Sequence, residues 1–169
     1  MKHFETNKEE NNKSMFKRWA FNLFPAIRRT GGRVSFISSD HKEIHIRLPL
    51  NWKTRNYVGT VFGGSIYACT DPFYMIQFMH ILGDNYVVWD KSANIKFKKP
   101  IKQTVYARFF VTDEMLSEVK EVVSKEGFYN IDIPVNLVDK EGLVYAEIMK
   151  TIYIATKAYY RERTKSKKS

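Results

Sequence analysis

Residues 56–82 read NYVGTVFGGSIYACTDPFYMIQFMHIL, and the fold turns on them. The stretch opens as a turn-prone loop, tightens at Gly63-Gly64 and then stays almost wholly apolar to Leu82. From Ile66 to Leu82 the apolar side chains cover every side of a helical wheel, as expected for a helix buried all round. At roughly 18 residues the run sits at the lower limit of a membrane span. Asp71-Pro72 interrupts it near the middle, and the flanking segments read as strands. The expectation is a central helix, about 64–82, wrapped by sheet.

Asp71 needs an explanation. A carboxylate among apolar neighbours costs several kcal/mol unless it is paired or partly wet. It can be the N-cap of a helix that starts at Pro72. It can also lie inside one longer helix that bends at the proline. Spacing alone leaves both readings open.

Either side of this run the pattern has period two. Arg33–Ser38 and Glu43–Leu48 read as a hairpin, with Ile44, Ile46 and Leu48 on one face. His45 and Arg47 lie on the other, and His41 and His45 are expected at exposed positions. Tyr86–Lys98 and Gln103–Thr112 follow as long strands. Trp89, Lys91, Ala93, Ile95 and Phe97 share a face of the first; Val105, Ala107, Phe109 and Val111 share a face of the second. Asp113–Glu126 is an amphipathic helix with Met115, Val119, Val122 and Val123 inward and Gly127 as its stop. Phe128–Val138 and Leu143–Ala155 form a last hairpin, in which Pro134 marks an edge or a bulge. The order β-β-α-β-β-α-β-β predicts an α+β domain: six antiparallel strands curled around one apolar helix.

Asn56-x-x-Gly59-x-x-Phe62-Gly63-Gly64, followed by Asp71, is similar to the signature of hotdog-fold acyl-CoA thioesterases of the phenylacetate-degradation type. That family has His where this chain has Phe62. The stretches Asn22–Val34 and Val87–Lys91 look more like an uncharacterised branch of the same superfamily, and the resemblance covers roughly residues 20–155. It implies a hotdog domain that hydrolyses an acyl-thioester, with coenzyme A arriving as part of the substrate and no separate cofactor. It further implies a homodimer, or a dimer of dimers, with the active site at the subunit interface.

On this resemblance Asp71 is the general base or nucleophile, Gly63 the oxyanion donor through its backbone N–H, and Asn56 a group that orients water or substrate. Gly59, Phe62, Gly64, Lys98 and Lys99 are the candidate substrate contacts. The chemistry is consistent with the local sequence. The first turn of a helix presents unpaired N–H groups and a positive dipole end, and glycine lets a substrate approach them. Burial of Asp71 is expected to raise its pKa and make it a better base. Asp71 lies eight residues beyond Gly63, about 12 Å along a helix axis. One helix therefore does not bring both groups to a single carbonyl; the resemblance implies that pairing of subunits does. Phenylalanine at 62 fills space where histidine could hydrogen-bond, which makes a non-catalytic acyl-CoA or fatty-acyl binder the alternative.

The remaining composition narrows the choice. The chain has 169 residues, 44% hydrophobic and 15% aromatic, enough for one domain with a real core. The single cysteine, Cys69, excludes an internal disulfide and lies where a thiol usually packs. No histidine pair has metal-ligand spacing, so no metal is expected, and there is no Gly-x-Ser-x-Gly elbow, phosphate loop or dinucleotide fingerprint. Residues 1–14 are polar throughout and read as a disordered tail; with no signal segment, a cytoplasmic protein is expected. The domain then spans 15–156. Met15–Ile27 carries Phe16, Trp19, Leu23 and Ile27 at helical spacing and is expected to pack on the domain; its aromatic and basic faces also suit a membrane surface, but it is short and broken at Pro25. Residues 157–169 hold six Lys/Arg against Glu162, half of the chain's net charge of +10. They read as a solvated basic tail. Association with nucleic acid or membrane through that tail is a second alternative, not the expectation.

Overall fold

The computed structural model describes residues 6–166. Helix α1 (Asn12–Leu23) and helix α2 (Pro25–Thr30) precede strands β1 (Arg33–Ile37) and β2 (Glu43–Leu48). The central run forms α3 (Gly63–Thr70) and α4 (Phe73–Leu82), followed by β3 (Tyr86–Phe97) and β4 (Val105–Phe110). Helix α5 (Asp113–Glu126), strands β5 (Phe128–Val138) and β6 (Val144–Thr156) and helix α6 (Lys157–Ser166) complete the chain. The six strands form one antiparallel sheet in the order β1-β2-β4-β5-β6-β3, packed against α3 and α4. This is the hotdog arrangement expected from the sequence. No helix among the described residues is long and apolar enough to cross a membrane.

The central helix is broken in two. Asp71 and Pro72 both keep right-handed helical angles, and neither provides a side-chain cap for α4. Asp71 is thus not an N-cap. The proline has no N–H to continue the ladder, so the axis bends there. One side of the helix packs on the sheet through Ile66, Cys69, Phe73, Tyr74 and Phe78, all 3% exposed or less. The other side is open, with Tyr67 44% and Met79 50% exposed. Within a single chain the helix is therefore not buried all round.

The strands keep their predicted order but not every predicted face. In β3 a bulge between Asp90 and Ser92 leaves Lys91 without a partner on β6. Side chains before and after a bulge swap faces. Val88 and Asp90 therefore point the same way as Ala93, Ile95 and Phe97, while Trp89 stands on the opposite, outer face. β4 is shorter than expected, and α5 buries Leu116, which the sequence reading left out, ahead of the half-buried Val122. Pro134 sits where β5 has no ladder partner on the β4 side: among the described residues the β4–β5 ladder holds only Tyr106 and Val138. The Pro134 carbonyl accepts a hydrogen bond from the Tyr74 hydroxyl at 2.9 Å, so α4 bridges the open stretch.

Both ends are more ordered than their composition suggests. Residues 1–5 and 167–169 lie outside the described residues, but the disordered tail expected up to residue 14 is corrected from Thr6 onward. Thr6 donates to Glu43 at 2.8 Å, Glu10 pairs with Arg18 and accepts from the Ile37 N–H, and Asn11 caps α1. This segment covers the outer face of the first hairpin, which is why Glu43 is fully buried and His45 only 7% exposed rather than at the surface. His41 is half-buried beside Lys17. At the other end the predicted basic tail is helical over Lys157–Ser166. Its Tyr159 stacks on Phe128 at 5.4 Å, and Arg163 lies over the same ring.

Helix α1 packs with an unexpected side. Its inward face carries Ser14, Lys17, Arg18, Phe21 and Asn22, the last clasping the Val34 N–H and C=O at 2.9 Å each. Phe16, Trp19 and Leu23, expected to pack inward, are 69%, 63% and 47% exposed; Ile27 alone of that set is buried.

Candidate functional site

Gly63 and Gly64 form the first turn of α3, whose leading N–H groups have no acceptor within the helix. The turn opens into a cleft of about 510 Å³ lined by Asn56, Gly63, Ile66, Phe97, Lys98 and Lys99, among others. The structure thus brings together one proposed oxyanion donor, the motif asparagine and the two candidate lysines. Phe97 closes one wall; a β-carbon on Gly63 would meet its ring at 3.3 Å. Gly64 is more tightly constrained, because the Phe62 ring lies back over it, 2.2 Å from where a β-carbon would stand. Phe62 and Gly64 therefore border the helix start without lining the cleft.

Asn56 is committed to its own loop. Its Oδ1 accepts from the Val58 and Thr60 N–H groups at 3.1 and 2.9 Å, and its Nδ2 donates to Thr60 Oγ1 at 2.9 Å. Gly59, at φ +83° with open space around it, is the left-handed residue that closes this turn. The asparagine and glycine of the motif hold the approach to α3 in shape. Lys98 pairs with Glu147 at 3.5 Å across an exposed strand edge, a contact of little energetic weight.

Asp71 is elsewhere. It lines a second cleft, about 450 Å³, between α1–α2 and α3–α4, with Phe21, Phe24, Ile27, Tyr67 and Met75. Gly63 and Asp71 do not share a cleft within one chain, as the helix geometry required. Nor is Asp71 buried as expected, since its side chain is 45% exposed.

Its partner is a residue that the sequence reading missed. Lys150, in the middle of β6, is 1% exposed and donates to Asp71 Oδ1 at 2.9 Å. The same ammonium lies 2.9 Å from Asp90 Oδ1 in an ion pair too poorly aligned to be a hydrogen bond, and 5.5 Å from the Tyr67 ring centre. Burial works against the Lys150 charge, but the two carboxylates outweigh it and raise its pKa above the ordinary value. For Asp90 the balance is reversed: burial raises its pKa by more than Lys150 lowers it. The β3 bulge turns Asp90 inward to reach this cation. One sequence signal was available. Lys150 alternates with Ile148, Ile152 and Ile154, and a lysine on the apolar face of a strand needs buried carboxylates.

Two other groups are set aside by the structure. Cys69 is buried and its thiol is pushed up to about 12 by burial, so it is not a nucleophile near neutrality. His41 and His80 pack edge to face at 4.7 Å, and neither lines the cleft at Gly63.

Residues 12–154 match the family described as a domain of unknown function, DUF4442. The chain belongs to that family. No curated protein matches the DUF4442 chain. Among solved structures it is similar to a protein of unknown function from Pseudomonas aeruginosa described as a probable thioesterase, with TM-score 0.72 and 16% identity over 84% of this chain and 95% of that one. A protein of unknown function from Chlorobaculum tepidum superposes with TM-score 0.66 at 16% identity, covering 85% and 94%. A thioesterase from Haemophilus influenzae does so with TM-score 0.61 at 12% identity, covering 89% and 96%. At such identities the likeness establishes the shared fold of this DUF4442 protein.

Proposed function

We propose that the protein hydrolyses an acyl-thioester of the acyl-CoA class, working as a homodimer or a dimer of dimers. The observation that carries the reading is the bare, glycine-lined start of α3 in a cleft rimmed by lysines, with a carboxylate further along the same helix. The Gly63 N–H, with its helix dipole behind it, would bind the oxygen of the thioester carbonyl as charge develops, an effect worth about 3–4 kcal/mol in other enzymes. Lys98 and Lys99 suit the phosphates of coenzyme A.

Asp71 of the facing subunit supplies the base. Its Oδ1 is held by Lys150, which leaves Oδ2 to take a proton from water. The water oxygen adds to the carbonyl carbon, the C–S bond breaks and the thiol leaves with a proton. The exposed side of the central helix, around Tyr67 and Met79, and the unpaired edge of β3 support pairing of subunits.

Phe62 supports a second reading, in which acyl-CoA binds without turnover, because its ring stands at the helix start with no group to orient a substrate. Thiol release from short, medium, long and aromatic acyl-CoAs, with wild type beside Asp71→Asn, separates the two. A fall of about 100-fold or more in the variant is expected from loss of a general base. Equal rates would remove Asp71 from the mechanism. Tight binding with no turnover in either would identify a binding protein.

A further inference from the structure

Helix α1 is amphipathic the wrong way round for a helix packed on a domain. Apart from Phe21, its inward face is polar and hydrogen-bonded. Met15, Phe16, Trp19 and Leu23 fall within about 100° of arc on the outward face, at 100° per residue, and each is 47–69% exposed. Phe24, at the α1–α2 junction, adds a fifth apolar side chain at 57%. Monomeric proteins rarely leave so continuous an apolar surface without a use for it.

The charge around the patch selects what covers it. Residues 12–33 contain Lys13, Lys17, Arg18, Arg28, Arg29 and Arg33 and not one Asp or Glu. Arg18 is paired with Glu10 and Lys17 with His41, whereas Lys13, Arg28 and Arg29 are exposed on the same two helices. A second copy of the chain would set this cationic surface against itself, which disfavours self-association through it. An anionic lipid surface is complementary to both features. Trp and Phe settle at the headgroup–acyl boundary, and each nearby Lys or Arg adds about 1 kcal/mol of attraction to anionic headgroups, roughly fivefold in affinity.

We propose that α1 and α2 seat the protein on an anionic phospholipid membrane, with Phe16, Trp19 and Leu23 inserted and Lys13, Arg28 and Arg29 against the headgroups. The docking itself does not depend on any enzymatic activity.

The test is flotation of the full chain with vesicles of phosphatidylcholine alone or with one-third phosphatidylglycerol, at low and at physiological salt. Binding to the anionic vesicles only, weakened by salt, is expected. Because both side chains are exposed, Phe16→Ser/Trp19→Ser should leave the fold intact and reduce partitioning by at least about tenfold, from the apolar area no longer buried. Arg28→Ser/Arg29→Ser should reduce binding to anionic vesicles and lose its effect in high salt. Three results would overturn the proposal: no vesicle binding at low salt, a Phe16/Trp19 variant that changes the mass by light scattering but not the partitioning, or binding lost only on deletion of residues 157–169.

Discussion

Replacing Lys150 by methionine tests the most demanding feature of the site. The substitution keeps the unbranched apolar stem of the side chain and removes the ammonium that pairs with Asp71 and Asp90. Breaking a buried ion pair from one side costs about 3–5 kcal/mol, because a charge is left without its counter-ion. Here the carboxylate left behind is chiefly Asp90, 17% exposed. Asp71, 45% exposed, is already solvated and adds little. The lower end of the range, about 3 kcal/mol, is therefore expected near pH 7, or a fall in Tm of about 6–12 °C for a domain of this size.

The loss also has a definite pH dependence. Lys150 has a raised pKa, so its stabilising effect is full below its unfolded value of 10.5 and fades only as pH climbs through the higher folded value. It is constant between pH 5 and 8. Asp90 has its pKa raised by burial even with the ammonium present, and without it the pKa rises further. A carboxyl with a raised folded pKa holds its proton more tightly when folded, so it destabilises the fold above that pKa and ceases to do so below it. The penalty of Lys150→Met should thus shrink from pH 8 to pH 5. Urea unfolding of wild type, Lys150→Met and Lys150→Met/Asp90→Asn at several pH values measures it, and the double variant should recover most of the loss. A pH-independent loss, or one under about 1 kcal/mol, would refute the assignment of Lys150 and Asp90 as a buried ion pair.

Other substitutions probe the rest of the framework. Glu43 is buried with Arg108, His45 and Thr6 at 2.7, 2.6 and 2.8 Å. Burial raises its pKa, but these partners lower it by more, to a value below the usual 4.5. Its stabilisation is therefore present above pH 4.5 and lost as pH falls through the folded value; Glu43→Gln should cost about 3 kcal/mol at pH 7 and far less in acid, read from unfolding midpoints. Cys69 should resist a thiol reagent at pH 8 in the native protein and react at once in urea; fast native labelling would contradict its burial. Gly59→Ala forces a side chain into the left-handed region and should destabilise the 56–60 turn by about 1–2 kcal/mol, visible as a lower Tm.

Much of the architecture was legible because the signals were local. Alternation in Glu43–Leu48 and Val105–Val111, the Gly63-Gly64 helix start and the Asp71-Pro72 interruption each fix a short segment. What escaped was set by contacts distant in sequence. Nothing near Glu43 and His45 announces that Thr6–Asn11 will cover them. The bulge at Lys91 reverses half a strand without a glycine to mark it, and thereby sends Asp90 to Lys150 across the sheet. The apolar spacing of Phe16, Trp19 and Leu23 was read correctly as one face of a helix, but periodicity does not say which way a face points. Asp71, Gly63 and Asn56 were located by their motif, yet the ammonium that holds Asp71 comes from β6, 79 residues later.

The single bridge between β4 and β5 bears on how the molecule comes apart. Among the described residues it leaves the sheet as two ladder-bonded three-stranded ribbons, β1-β2-β4 and β5-β6-β3, which lie side by side and are joined by one ladder pair, by packing and by the helix lying across both. Each ribbon is a candidate cooperative unit of its own, and amide exchange would sort their N–H groups into two protection classes. Tyr74, through its hydroxyl on Pro134, is the rivet across the seam, and cutting it with Tyr74→Phe would let the halves open at different denaturant concentrations while each kept its own strands.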